Sequence, residues 1–158
     1  MSGNAIDVVE FEIGGELYAM DIQLAREIVE MVPLTPLPRA PAYISGIINL
    51  RGEITTILSI DDLIGIRGKK AGSTQKIIIL VPEAAGGSNV GIIVDDVHSV
   101  IQVDQQSVEK IDGGLSSGAG NYVKGIIKSG AETGAEKGLI IWLDLEKLLR
   151  DLVDLEKK

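Results

Sequence analysis

The residues of this chain that could do chemistry are few, and their spacing excludes more than it allows. Of the 158 residues one is histidine and none is cysteine. Disulfides, Cys-ligated zinc and thiol nucleophiles are therefore absent. His98, in Asp96-Val97-His98-Ser99-Val100, has no second histidine to complete a metal centre and reads as a half-exposed strand residue. The neighbouring carboxylates Asp61-Asp62 and Asp95-Asp96 do not form an acid/base pair, because adjacent strand residues point to opposite faces. They read as strand ends and caps. The stretch from Gly113 to Gly120 is rich in Gly and Ser, yet no Lys-Ser/Thr follows at the spacing of a phosphate-binding loop. A net charge of −8, with no basic cluster interleaved with aromatics, disfavours nucleic acid and anionic membrane as partners. No catalytic residue, cofactor or metal site is expected, and the chain has the parts of a binding scaffold.

Two charges stand out. Arg51 follows the apolar run Ile47-Ile48-Asn49-Leu50 at a turn, and Glu27 lies between Leu24 and Ile28. A pair between them would tie two elements together, and Arg with a carboxylate can bond through two parallel N–H groups. The plainer reading is two solvated surface charges.

The elements that must position them are mostly strands. Hydrophobic residues make up 45% of the chain and aromatics only 3%, so the core is built from Ile, Val and Leu, and the 19 glycines supply turns. Val8 to Ile13, a hairpin turn at Gly14-Gly15 and Leu17 to Met20 form the first hairpin. Asp21 is expected to cap a short helix from Ile22 to about Met31, with Leu24, Ile28 and Met31 on one face. Pro33, Pro36, Pro38 and Pro41 then force an extended path. Next come a strand from Ile44 to Leu50, a turn at Arg51-Gly52-Glu53 and a strand from Ile54 to Leu58. Ser59 is placed to cap a helix ending near Gly65. Lys69 to Thr74 is a polar linker. Ile77 to Val81 is apolar enough to be buried on both faces. A loop from Glu83 to Asn89 leads into the returning strand Val90 to Val94. The end of the chain repeats the strand, cap and helix order: Leu139 to Leu143, Asp144, and a helix over 144–156 with Leu145, Leu148, Leu149, Leu152 and Leu155 on one stripe.

The segment Tyr43-Ile-Ser-Gly-Ile-Ile48 is echoed by Tyr122-Val-Lys-Gly-Ile-Ile127, 79 positions later. That period exceeds the roughly 20–50 residues of solenoid repeats, so it argues for two copies of one small fold. An isolated hairpin is not stable, and closing strands on themselves removes exposed edges. About ten strands then make two small barrels side by side, the first half spanning about 8–68 and the second about 75–143. Only the first copy carries Asn49, Arg51 and Gly52. With no secretory signal and no apolar run of about 18–20 residues, a cytoplasmic protein is expected.

The stretch from Tyr43 to Ile54, with its core Asn49-Leu50-Arg51-Gly52, resembles the signature of the CheW family of chemotaxis coupling proteins. Val90 to Val97 is similar to that family's second signature. Leu24 to Ile28, Thr35 to Pro38 and Gly138 to Leu149 fit in order, so the resemblance covers about residues 8–153. Thr56 and Ser59 stand where the family usually has Pro and Asp or Asn. The resemblance implies a mainly β, CheW-like fold: two pseudo-symmetric five-stranded barrels of the SH3/OB kind, their ends exchanged, with short helices and a C-terminal helix. It implies a non-enzymatic adaptor that binds the regulatory domain of a CheA-type histidine kinase and the helical cytoplasmic tip of chemoreceptors, recruited to membrane receptor arrays. Arg51 matches the family's functionally sensitive Arg, Glu27 its partner, and Asn49 falls in the same core. Ile28, Leu34 and Val97 are candidate groove residues for a receptor helix. The alternative is a barrel that serves as an accessory protein by binding a nucleotide or other small ligand.

Overall fold

A computed structural model describes residues 5–60, 75–109, 122–128 and 138–156. Among these, ten strands form two five-stranded sheets. The strands are β1 (Ala5–Ile13), β2 (Glu16–Asp21), β3 (Ala25–Glu30), β4 (Ile44–Leu50), β5 (Glu53–Ser59), β6 (Lys76–Leu80), β7 (Val90–Val94), β8 (Asp96–Asp104), β9 (Val123–Lys128) and β10 (Leu139–Leu143), followed by helix α1 (Leu145–Glu156). One sheet has the order β8-β1-β2-β10-β9 and the other β3-β6-β7-β5-β4. The second sheet is a contiguous stretch of chain set between β2 and β8 of the first. Each sheet has one parallel pair, β10 with β2 and β5 with β7, and is otherwise antiparallel.

Strand β6 is buried on two faces, as its apolar run requires. Ile77 and Ile79 join Ile48 and Ile57 inside one sheet, while Ile78 and Leu80 turn outward into the core shared by both. Val8 and Val9 divide in the same way: Val8 packs with Ala19, Val103, Ile140 and Trp142, and Val9 faces the shared core. Leu145, Leu148 and Leu149 of α1 also enter the shared core, beside Ala84 and Ala85 of the 3-10 turn Pro82–Ala85. Asp144 caps the helix, its side chain accepting from the Lys147 N–H at 3.1 Å.

The echoed segments are β4 and β9, each at the edge of its sheet, and they close the two sheets in the same way. Thr35 and Ile47 exchange backbone hydrogen bonds of 3.0 and 2.8 Å; Glu109 and Ile126 exchange bonds of 3.0 and 2.8 Å. In each case the segment after one edge strand crosses to the other edge strand, and each sheet curls into a barrel. The repeated glycine sits beside this crossing. A Cβ on Gly46 would lie 2.8 Å from the Thr35 carbonyl oxygen, and one on Gly125 would lie 2.9 Å from that of Glu109 and 2.3 Å from a Val108 methyl. The start of each echo is also held alike: Ser59 N–H donates to the Tyr43 carbonyl and Asp144 N–H to that of Tyr122, both at 2.7 Å.

Four one-residue bulges give the sheets their corners, and they too are paired. Arg26 in β3 and His98 in β8 are the extra residues at one corner, Ser45 in β4 and Lys124 in β9 at the other. A bulge bends its strand and re-aims the extra side chain.

The expected helix from Ile22 to Met31 is not formed. Only Ile22–Leu24 makes a 3-10 turn, and Ala25–Glu30 is a strand paired with β6. The spacing of Leu24, Ile28 and Met31 fits a helix, but Ala25, Glu27 and Val29 turn inward in a period of two. The open edge of the isoleucine-rich β6 takes this segment as its partner, so tertiary pairing overrides a weak helical pattern. The proline segment forms no helix, as expected; it is extended only in part, with turns at Pro38-Arg39 and Ala42-Tyr43. The cap at Ser59 with Asp61, Asp62 and Gly65, the linker from Lys69 to Thr74, the stretch from Gly113 to Gly120, and the side chains of Leu152 and Leu155 lie outside the described residues.

Two outcomes follow for stability. Gly46→Ala and Gly125→Ala each force the closing strand away, and Gly46 also has φ +154°. Overpacking of this kind costs about 1–3 kcal/mol, and urea unfolding should show at least that loss for both. Gly15→Ala, with open space around it, should cost no more than the roughly 1–2 kcal/mol of a left-handed residue. The Tyr122 hydroxyl donates to Asp151 at 2.8 Å, and that bond, with burial, raises its pKa above the ordinary 10.0. The folded state therefore keeps this proton to higher pH than the unfolded chain, so stability falls as pH climbs past about 10. Tyr122→Phe should flatten part of that alkaline loss in pH-dependent unfolding.

Candidate functional site

The turn joining β4 to β5 has two central residues, Arg51 and Gly52, with φ of 51° and 89°. Both left-handed values make it the hairpin turn normally filled by Asn-Gly or Gly-Gly. Asn49 locks it: its side-chain oxygen accepts the Gly52 N–H at 2.8 Å. An arginine in this conformation costs roughly 1 kcal/mol or more relative to glycine, and its side chain is 60% exposed. The fold alone would favour another residue here.

The Arg51 guanidinium bonds the Glu27 carboxylate, the Glu27 side chain being 28% exposed. β3 and β4 are the two edges of their sheet, so this pair spans the barrel's seam, beside the Thr35–Ile47 crossing. It ties a strand to the turn, where the sequence suggested a helix. A second pair crosses nearby: Arg26, the bulge residue of β3, reaches Glu53 of β5 at 3.5 Å. Sequence reasoning missed Arg26 and Glu53. The signal was there in the complementary order of charges, Arg26-Glu27 against Arg51 and Glu53, but only if β3 is a strand with a bulge.

The remaining candidates separate. Ile28 is 44% exposed on β3, next to Glu27 and close in sequence to exposed Val32. Leu34 is half-buried against the interior of this barrel, with its Cβ at Gly46. Val97 belongs to the other sheet, in register with Phe11, and packs on the shared core. Glu27, Arg51, Asn49 and Ile28 thus come from one seam, and Val97 does not. Ile54, 60% exposed and opposite Asn49, adds an apolar side chain there that the sequence did not single out. His98 forms an exposed pair with Glu12 at 3.1 Å on the other sheet. Among the described residues there is no group of three His, Asp or Glu side chains placed to hold a metal, and no helix long and apolar enough to cross a membrane.

The family model described as a CheW-like domain matches residues 7–153. The chain belongs to the CheW family. A chemotaxis protein CheW from Treponema pallidum is 33% identical over 145 residues, covering 89% of this chain and 80% of that protein. One from Thermotoga maritima is 26% identical over 146 residues, covering 92% and 89%. The crystal structure of the scaffolding protein TtCheW from Thermoanaerobacter tengcongensis superposes with a TM-score of 0.74 at 33% identity, covering 87% of this chain and 83% of that one. The mainly β fold of two five-stranded sheets with a C-terminal helix is the fold of that CheW scaffold.

An exposed ion pair contributes about 0–1 kcal/mol, which the left-handed arginine offsets. Arg51→Gly should therefore leave the unfolding free energy within about 1 kcal/mol of the parent. A loss above about 2 kcal/mol in urea unfolding would show that the pair serves the fold instead.

Proposed function

We propose that this chain is a non-enzymatic chemotaxis adaptor that couples chemoreceptors to a CheA-type histidine kinase through contacts of its two barrels. The observation that carries this reading is the CheW-like match over 7–153, together with a strained, exposed arginine at the site where the two copies of the fold differ. Arg51 and Glu27 present a charged pair at a barrel seam whose strands β3 and β5 also carry the exposed Ile28 and Ile54. A seam of this kind offers an apolar strip with a fixed polar anchor, the surface on which an amphipathic helix can be laid. The guanidinium supplies direction as well as charge, because its donors are fixed in a plane. Regulatory contacts of this class are modest in area, so many weak sites acting together in an array would give the assembly its strength. The array lies at the membrane through the receptors, and the adaptor reaches it by binding them.

Arg51→Glu reverses the anchor and sets it against Glu27. In a reconstituted mixture of receptor, kinase and adaptor, this variant should lower receptor-stimulated kinase phosphorylation at least tenfold. Its circular dichroism and melting temperature should stay at parent values. Normal coupling by a folded Arg51→Glu variant would remove Arg51 from the site. Recovery of neither a CheA-type kinase nor receptors with the parent chain from native lysate would overturn the adaptor reading itself.

A further inference from the structure

The barrel that lacks the Arg51 turn has a specialisation of its own. Matching the strand pairings of one sheet to those of the other makes Lys124 the equivalent of Ser45, Trp142 of Ile57 and Asp21 of Ile93. Where one barrel has two isoleucines and a serine, the other has an ion pair and an indole. Asp21 is buried, 8% exposed, and both its oxygens are engaged: Oδ1 accepts the Trp142 indole N–H at 2.7 Å and Oδ2 accepts from the Lys124 ammonium at 3.0 Å. The ammonium also sits 5.2 Å from the centre of the Trp142 ring. Burying a carboxylate is costly unless it is paired, and nothing in the fold requires it, since the matching site of the other barrel is apolar.

Two members of this triad, Lys124 and Trp142, line a cavity of about 380 Å³ together with Ile6, Gln105 and Val108 among the described residues. That volume lies within the range of small-molecule sites, about 300–1,000 Å³. Two of its described lining residues, Lys124 and Gln105, carry N–H donors. Lys124 carries three N–H bonds, of which one goes to Asp21 among the described residues, and its side chain is 33% exposed. Gln105 lines the same space, and its side chain carries an amide that can donate. The rest of the described lining is apolar: Ile6, Val108 and the indole.

We infer that this cavity is a binding site for a small organic carboxylate with an apolar chain. The carboxylate accepts from Lys124 and from the Gln105 amide, and the chain lies on Ile6, Val108 and the Trp142 ring. Asp21 does not touch the ligand; it fixes the ammonium and the indole in place. The site lies on the barrel that does not carry Arg51, and the inference is independent of the adaptor reading.

Trp142 is the sole tryptophan of the chain, so its fluorescence reports the cavity directly. The full chain titrated with hexanoate should show a saturable change in the millimolar range, with a matching rise in melting temperature. Hexanol, which lacks the charge, and acetate, which lacks the chain, should bind at least tenfold more weakly. Gln105→Glu, at an exposed position outside the Asp21 network, should weaken hexanoate at least tenfold. Lys124→Met should abolish the response, and Lys128→Met, which alters an exposed pair with Glu109, should leave it unchanged. If Lys124→Met does not fold, Gln105→Glu decides alone. No saturable change, equal binding of hexanol, or an unaltered response in folded Gln105→Glu would each overturn the inference.

Discussion

The structure depends on two short crossings, Thr35 to Ile47 and Glu109 to Ile126. Each is a single pair of backbone hydrogen bonds, yet each joins the two edge strands of a five-stranded sheet. Without them the sheets would be open, with rows of unpaired backbone groups on isoleucine-rich edges that invite aggregation. With them, each sheet encloses its own apolar interior, Ile48, Ile57, Ile77 and Ile79 in one case and Val8, Ala19, Ile140 and Trp142 in the other. The repeated glycine is the cost of closure: only a residue without Cβ lets the crossing carbonyl come so near. A helix in place of β3 would leave the edge of β6 without its partner strand.

Closure also brings together what the sequence keeps apart. β3 and the turn after β4 are neighbours only because the seam joins them, and it is there that Glu27 and Arg51 pair. The four bulges that let the sheets bend serve a second end, since three of the extra residues are aimed into charged contacts: Arg26 at Glu53, His98 at Glu12 and Lys124 at Asp21. Exposed pairs of this sort add little to stability. Their use is to orient donors and acceptors at the barrel surface. Asp21 is the exception, being buried, and there the pairing with Lys124 and Trp142 offsets a real desolvation cost. The two barrels thus share closure, glycine and bulge, while their charges differ.

Much of this was legible in the sequence. Alternating patterns and Gly14-Gly15 marked the first hairpin, the apolar run from Ile77 marked a strand buried on two faces, and the echo of Tyr43 to Ile48 marked equivalent strands. The short repeat carried more than it showed: its glycine and the isoleucine after it, Ile47 or Ile126, turned out to be the crossing point of each barrel. The segment from Ile22 to Met31 misled because three apolar residues at helical spacing outweighed an alternation that only β6 could reveal. Bulges were invisible for a related reason. One extra residue in a strand leaves no local mark, so Arg26 with Glu53 and Lys124 with Asp21 could not be matched from spacing alone. Glu27 and Arg51 were found as two charges in apolar surroundings, and the family resemblance joined them before the geometry did.

The central claim is that the seam carrying Arg51 is a partner surface and not a structural tie. The most direct test is a backbone amide shift map of the isotope-labelled chain titrated with a chemoreceptor cytoplasmic-tip fragment. The account predicts that the largest shifts fall on β3 and on the turn from Asn49 to Glu53, with β1 and β8 little changed. Shifts confined to the other sheet, or none at a receptor concentration that supports kinase coupling, would contradict it.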